Sequence, residues 1–145
     1  MDDGIWTTLD ALGVTVEYVD LPRDRDGEYV HSLGLIRLQR GMATRLHRSV
    51  LAHECAHAVF ADVPSPSAQV NRKQERRADE WAAQRLIDIR EYERAEALHQ
   101  GNIEALAVEL GVTVDLIRAF RSALSRAHTA AVRRTVAQGS YEKVR

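Results

Sequence analysis

In "LAHECAHAVF", residues 51–60, His53 and His57 stand four residues apart, with Glu54 directly after the first histidine. On a helix, side chains at i and i+4 lie one above the other, so both imidazoles can direct a ring nitrogen at one metal ion. Glu54 falls about 100° further round the helix. From there it cannot easily join the same coordination sphere, but it can reach a water. Two ligands and a general base at this spacing form the H-E-x-x-H arrangement of zinc-dependent peptide hydrolysis. A helix with two surface histidines is the plain alternative, and the flanks argue against it: Leu51, Ala52, Cys55, Ala56, Ala58, Val59 and Phe60 are all apolar. A glutamate and two histidines in such a segment need a metal or hydrogen bonds to offset their desolvation.

A catalytic zinc takes a third protein ligand and keeps a fourth position open. "ERRADEWAA", residues 75–83, follows a proline-containing stretch and supplies candidates. Glu75, Ala78, Asp79, Ala82 and Leu86 share one face of a second helix. Glu75 fits as the third ligand. Asp79, one turn later, fits as an acceptor that orients a ligand histidine through its other ring nitrogen. Arg76, Arg77 and Glu80 read as solvated charges. Peptide hydrolysis also calls for a Tyr, His or Arg near the metal to stabilise the oxyanion. Tyr29, His31, Arg85 and Tyr92 are all candidates, and their spacing does not choose among them. His47 lies on another helical face and reads as a surface residue. His99 and His128 have no ligand spacing. Cys55 reads as a small buried side chain.

The elements that must position these residues follow from periodicity and turn chemistry. Residues 2–12 read as a short helix ending at Gly13, residues 14–19 as a strand and residues 21–28 as a polar loop. Residues 29–41 read as two short strands with a turn near 32–34. A helix is expected over 44–60 with Thr44 as its N-cap, then a loop over 62–71 and a second helix over 72–88. Shorter helices are expected over 91–98 and 102–110, and a last one from Val114 to about Ala137. The order is α+β, with a small antiparallel or mixed sheet confined to the N-terminal third. One domain over residues 1–138 is expected, with the helices from about residue 91 packing on it and residues 139–145 forming a flexible tail.

Composition narrows the function classes. A net charge of −1 does not indicate a globally basic nucleic-acid binder. The single cysteine cannot form an internal disulfide, which fits a reducing compartment. "MDDGIWTTLD" carries no long apolar run, and no stretch approaches the roughly 20 apolar residues of a membrane span. A cytoplasmic location is expected. Within residues 103–120 the spacing of Ala107, Gly111, Val112 and Leu116 resembles a helix-turn-helix. Its second helix would begin "TVDLIRAF", which offers few donors to bases. A helical hairpin packed on the metal-binding part is the preferred reading, with no nucleic-acid partner expected. From residue 117 onward seven Lys or Arg face only Glu142, as in a solvated helix and tail.

"HECAH" followed by "ERRADEWAA" resembles the ImmA/IrrE family of metallopeptidases, whose pattern is H-E-x-x-H, a loop, then E-x-x-A-[ND]-x-F-A; Trp81 stands in the place of the usual Phe. More widely the pattern is similar to gluzincin peptidases. The resemblance implies a zincin-like core with extra C-terminal helices and one zinc ion per chain held by His53, His57 and Glu75. It implies Glu54 as the catalytic base and Asp79 as support for a ligand. It also implies an edge strand along the cleft that pairs with extended substrate, for which "LGLIRL", with Leu35, Ile36 and Arg37, is the candidate. "ALHQGNIEALAVELGVTVDLIRAFR" resembles the continuation in small actinobacteriophage members. The implied activity is a zinc endopeptidase of narrow specificity that cleaves a regulatory protein, such as a phage or prophage repressor of helix-turn-helix type. The alternative is a non-proteolytic zinc-containing regulator that binds a repressor or DNA through its C-terminal helices.

Overall fold

The computed structural model describes residues 4–142, with side chains to residue 138. Its order is α1 (Ile5–Leu12), β1 (Thr15–Val19), β2 (Gly27–Val30), a 3₁₀ turn (His31–Leu33), β3 (Leu35–Gln39), α2 (Thr44–Val59), α3 (Ala68–Leu86), α4 (Ile89–His99), α5 (Ile103–Leu110) and α6 (Val114–Glu142). This is the expected α+β arrangement. The sheet is mixed, in the order β1-β3-β2. β1 runs parallel to β3 with Thr15 opposite Leu35, and β2 runs antiparallel to β3 with Tyr29 opposite Ile36. Gly34, at φ 55°, takes the left-handed conformation that lets the chain reverse between β2 and β3.

The strand registers correct one expectation. Leu35, Ile36 and Arg37 belong to β3, which is paired on both sides and has no free edge for substrate. Leu35 and Ile36 are buried in the core, and Arg37 pairs with Glu28 and Glu17. The edge strand that faces α2 is β2.

Helix boundaries follow from caps. α2 begins after Ala43, which offers no side-chain cap, so Thr44 is its first residue rather than its N-cap. α3 starts at Ala68, four residues before the expected position, because the Ser67 hydroxyl accepts from the Val70 N–H at 3.3 Å. Asp88 caps α4 by accepting from the N–H groups of Arg90 and Glu91, and Asn102 caps α5 by accepting from Ala105. α6 runs on to Glu142, past the expected end at Ala137. The rest of the expected tail, residues 143–145, and the expected helix start at Asp2 lie outside the described residues.

One core joins the layers. Ile5, Leu9, Ile36, Leu38, Leu51, Cys55, Leu86, Leu106, Val112, Leu116 and Ile117 are all buried in it. α2 and α3 approach each other through alanines: Ala52, Ala56, Ala78, Ala82 and Ala83 have no exposed surface. The α5–α6 hairpin is held to α2 by Arg45, which donates to the Val112 carbonyl, and by Arg48, which donates to those of Leu110 and Gly111. The first turns of α6 are packed on α3, so the α5–α6 hairpin is docked on the body. Residues 125–138 are exposed. Among the described residues no helix is long and apolar enough to cross a membrane.

Candidate metal centre

α2 carries His53, Glu54 and His57, and α3 carries Glu75 and Asp79. The close alanine contact between the helices brings these side chains together. The two histidine Nε2 atoms lie 3.1 Å apart. Glu75 meets both: Oε2 is 3.1 Å from His53 Nε2 and Oε1 is 3.0 Å from His57 Nε2. Each ring is held from behind by a carboxylate. His53 Nδ1 lies 2.7 Å from Asp79 Oδ1, and His57 Nδ1 lies 2.9 Å from Asp62 Oδ2.

An ionised carboxylate only accepts, so each Nδ1 donates and each neutral ring turns its Nε2 lone pair inward. Two lone pairs and a carboxylate converging at this distance repel one another unless a cation lies between them. Zinc bonds of about 2.0–2.2 Å at tetrahedral angles place ligand atoms about 3.3–3.5 Å apart, close to the observed spacing. His53, His57 and Glu75 are therefore a fitting donor set for such an ion. Without metal a proton takes its place. Burial disfavours charge on His53, but Asp79 and Glu75 outweigh it and push the pKa up to about 10. His57 moves upward for the same reasons, through Glu75 and Asp62. Glu75 is held far below the usual carboxylate range by His53 and His57.

Glu54 is only 7% exposed, and burial raises its pKa despite the two neighbouring imidazoles. It lines two adjoining hollows, one of about 330 Å³ and one of about 380 Å³. The first is bounded by Gly27, Glu28 and Tyr29 of β2 together with Val63, Pro64 and Gln74. The second lies toward Asp24, Asp26 and Asp115. A buried carboxylate with a raised pKa beside a candidate metal site is equipped to take up and return a proton.

Of the four oxyanion candidates, Tyr29 alone lines a hollow shared with Glu54, His57 and Glu75. His31 is exposed and touches the Tyr29 hydroxyl through Nδ1 at 2.8 Å. Arg85 lies elsewhere, reaching Thr8 of α1 and stacking over Trp81. Tyr92 is a core residue that packs on Phe120 and accepts from Arg121. Neither Arg85 nor Tyr92 borders the hollows around Glu54, so both are set aside. His47 bonds the Tyr18 hydroxyl at 2.8 Å on the outside of α2, and Cys55 is buried as expected.

Sequence reasoning missed Asp62 and the partner of Arg77, which is exposed as expected, and misjudged Glu80. Arg77 donates to Asp62 Oδ1 and stacks on Phe60, with its guanidinium carbon 4.0 Å from the ring centroid. Glu80 is largely buried, and its Oε2 pairs with Arg126. The one available signal for Asp62 was its place: an acid directly past the end of a helix whose last turn carries a candidate ligand histidine.

The match to a family model agrees with this geometry. The model described as the IrrE N-terminal-like domain, Peptidase_M78, covers residues 9–120. No curated protein matches the chain. Among solved structures, a Mycobacterium tuberculosis transcriptional regulator is similar at 17% identity with a TM-score of 0.56, over 81% of this chain and 40% of that one. That likeness is one of fold, and the chain spans well under half the length of that protein.

Proposed function

Because the chain belongs to the Peptidase_M78 family of IrrE N-terminal-like domains, we propose that it is a zinc-dependent endopeptidase of narrow specificity. The observation that carries this reading is the convergence of His53 Nε2, His57 Nε2 and both oxygens of Glu75 within 3.0–3.1 Å, with Glu54 buried beside them. A zinc ion held there would polarise the scissile carbonyl and make water a better nucleophile near neutral pH. Glu54 accepts a proton from the water as its oxygen bonds to the carbonyl carbon. It then returns that proton to the leaving amine as the peptide C–N bond breaks. Tyr29 borders the same hollow and is the candidate donor to the developing oxyanion. Extended substrate adds to the free edge of β2, residues Gly27–Val30, so that backbone pairing supplies sequence-tolerant affinity.

The substrate in this reading is a regulatory protein of helix-turn-helix type in the cytoplasm, as the family resemblance implies. The alternative is a regulator that binds without cleaving, and the exposed outer part of α6 offers it a surface. Glu54→Gln decides between them. Gln is nearly isosteric but cannot take the proton, so zinc and fold should persist while cleavage falls by about 10²–10⁴-fold. Undiminished cleavage would reject the mechanism. Normal regulation in cells by a variant that cleaves nothing would favour the binding reading.

A further inference from the structure

Asp62 is 9% exposed and lies just past the C-terminus of α2. Its main chain and its side chain both return to the metal centre. Ala61 adopts φ 52°, which turns the chain so that the Asp62 N–H donates to the His57 carbonyl at 2.9 Å. The carboxylate then spans two helices, with Oδ2 on His57 Nδ1 and Oδ1 on the Arg77 guanidinium. Arg77 in turn lies over the Phe60 ring at the end of α2.

We propose that Arg77, acting through Asp62, is a positioning residue for the metal centre. The proposal rests on the metal-binding reading above and adds residues to it. A carboxylate buried this deeply needs both oxygens hydrogen-bonded. Arg77 donates to Oδ1, which holds the carboxylate with Oδ2 facing the His57 Nδ1–H. The His57 ring is then fixed with Nε2 toward His53 and Glu75. Arg77 also belongs to α3, two residues beyond Glu75. One side chain thus ties the end of the helix bearing both histidines to the helix bearing the third ligand. A planar guanidinium can bond a carboxylate and stack on an aromatic ring together, which an ammonium cannot match. The other ligand histidine is held differently. Asp79 behind His53 has a side chain 34% exposed, open to solvent on one side.

The test uses the full chain and zinc itself. Zinc affinity is measured by chelator competition for wild type, Asp62→Asn, Arg77→Ala, Arg77→Lys and the Asp62→Asn/Arg77→Ala double variant. The solvent-exchange rate of the His57 Nδ1 proton is measured on the same proteins without metal. Asp62→Asn should weaken zinc by about 10–100-fold, and Arg77→Ala by less. The double variant should lose no more than Asp62→Asn alone, and Arg77→Lys should recover only part of the loss. The Nδ1 proton should exchange slowly in wild type and fast in Asp62→Asn and Arg77→Ala. Additive losses in the double variant would overturn the proposal, because Arg77 would then act independently of Asp62. Unchanged affinity in Arg77→Ala would overturn it as well. A wild type that binds no zinc would count against the metal reading; an unaltered Nδ1 exchange rate in Arg77→Ala would then overturn the positioning role separately.

Discussion

Glu54 occupies space that Gly27 leaves open. A Cβ on Gly27 would lie 3.1 Å from Glu54 Cγ and 3.2 Å from its Oε1, and 2.7 Å from Val50 Cγ1. β2 therefore packs on α2 with only hydrogen between its backbone and the proposed general base. The same strand offers the free edge proposed for substrate. One glycine thus sets the distance between the strand that would hold a peptide and the carboxylate that would act on it.

Gly27→Ala should push β2 away from α2, at a cost of about 1–3 kcal/mol for overpacking. Cleavage should fall with it. Adding Val50→Ala removes the 2.7 Å contact and should restore much of the denaturant midpoint. The contact with Glu54 remains, so cleavage should recover less than stability. Full recovery of both would show that Glu54 is indifferent to what stands at position 27.

Zinc affinity should rise with pH. In the metal-free protein the His53 pKa is raised to about 10 from the ordinary 6.5. Its proton therefore contributes stability that is fully present below about pH 6.5 and is lost as pH climbs through about 10. Zinc takes the lone pair that this proton occupies, so each displaced proton strengthens binding about tenfold per pH unit below that pKa. Chelator competition between pH 6 and 9 and thermal melts of the metal-free protein should move in opposite directions. A zinc affinity that is flat across the window would show that His53 carries no proton without metal.

The candidate site residues were legible in the sequence because helical periodicity is local: His53, Glu54 and His57 follow from spacing within one helix, and Glu75 with Asp79 from spacing within another. What spacing does not carry is how two helices meet, and Asp62, Arg77 and Gly27 all depend on that. Arg77 read as a solvated charge because its partner lies 15 residues away across a turn. β3 reads as an edge strand in the sequence because strand order is not written in alternation. The apolar "LGLIRL" run is apolar because it is central, and the more polar Gly27–Val30 is an edge. Tyr92 and Arg85 were plausible by residue type alone, and type does not place a side chain.

Ala61→Gly should stabilise the protein. Ala61 is exposed and left-handed at φ 52°, in the position after a helix end where glycine is usual. The conformation costs an L-residue about 1–2 kcal/mol. Glycine relieves that cost but adds unfolded-state entropy of about 0.4–1 kcal/mol. The net gain should be about 0.5–1 kcal/mol in denaturant melts, with zinc affinity unchanged. Reduced stability would mean that the Ala61 methyl group makes contacts worth more than the strain.

The two α3 carboxylates should separate in their demands on zinc. Wild type should bind one zinc per chain. Glu75→Ala removes a donor that faces both histidines at 3.0–3.1 Å, and two histidines alone leave the set one ligand short. Metal content after dialysis should therefore drop to near zero. Asp79→Asn removes charge but keeps an amide oxygen that can still accept from His53 Nδ1–H. Because the Asp79 side chain is 34% exposed, water compensates in part, and the loss should lie near the low end of the about 10–100-fold range for such supporting groups. Asp62→Asn, which leaves Arg77 facing a neutral buried amide, should cost more than Asp79→Asn. Elemental analysis and chelator competition on the same samples check the order. Full zinc retention in Glu75→Ala would remove Glu75 from the ligand set, and an Asp79→Asn loss equal to that of Glu75→Ala would make Asp79 itself a ligand.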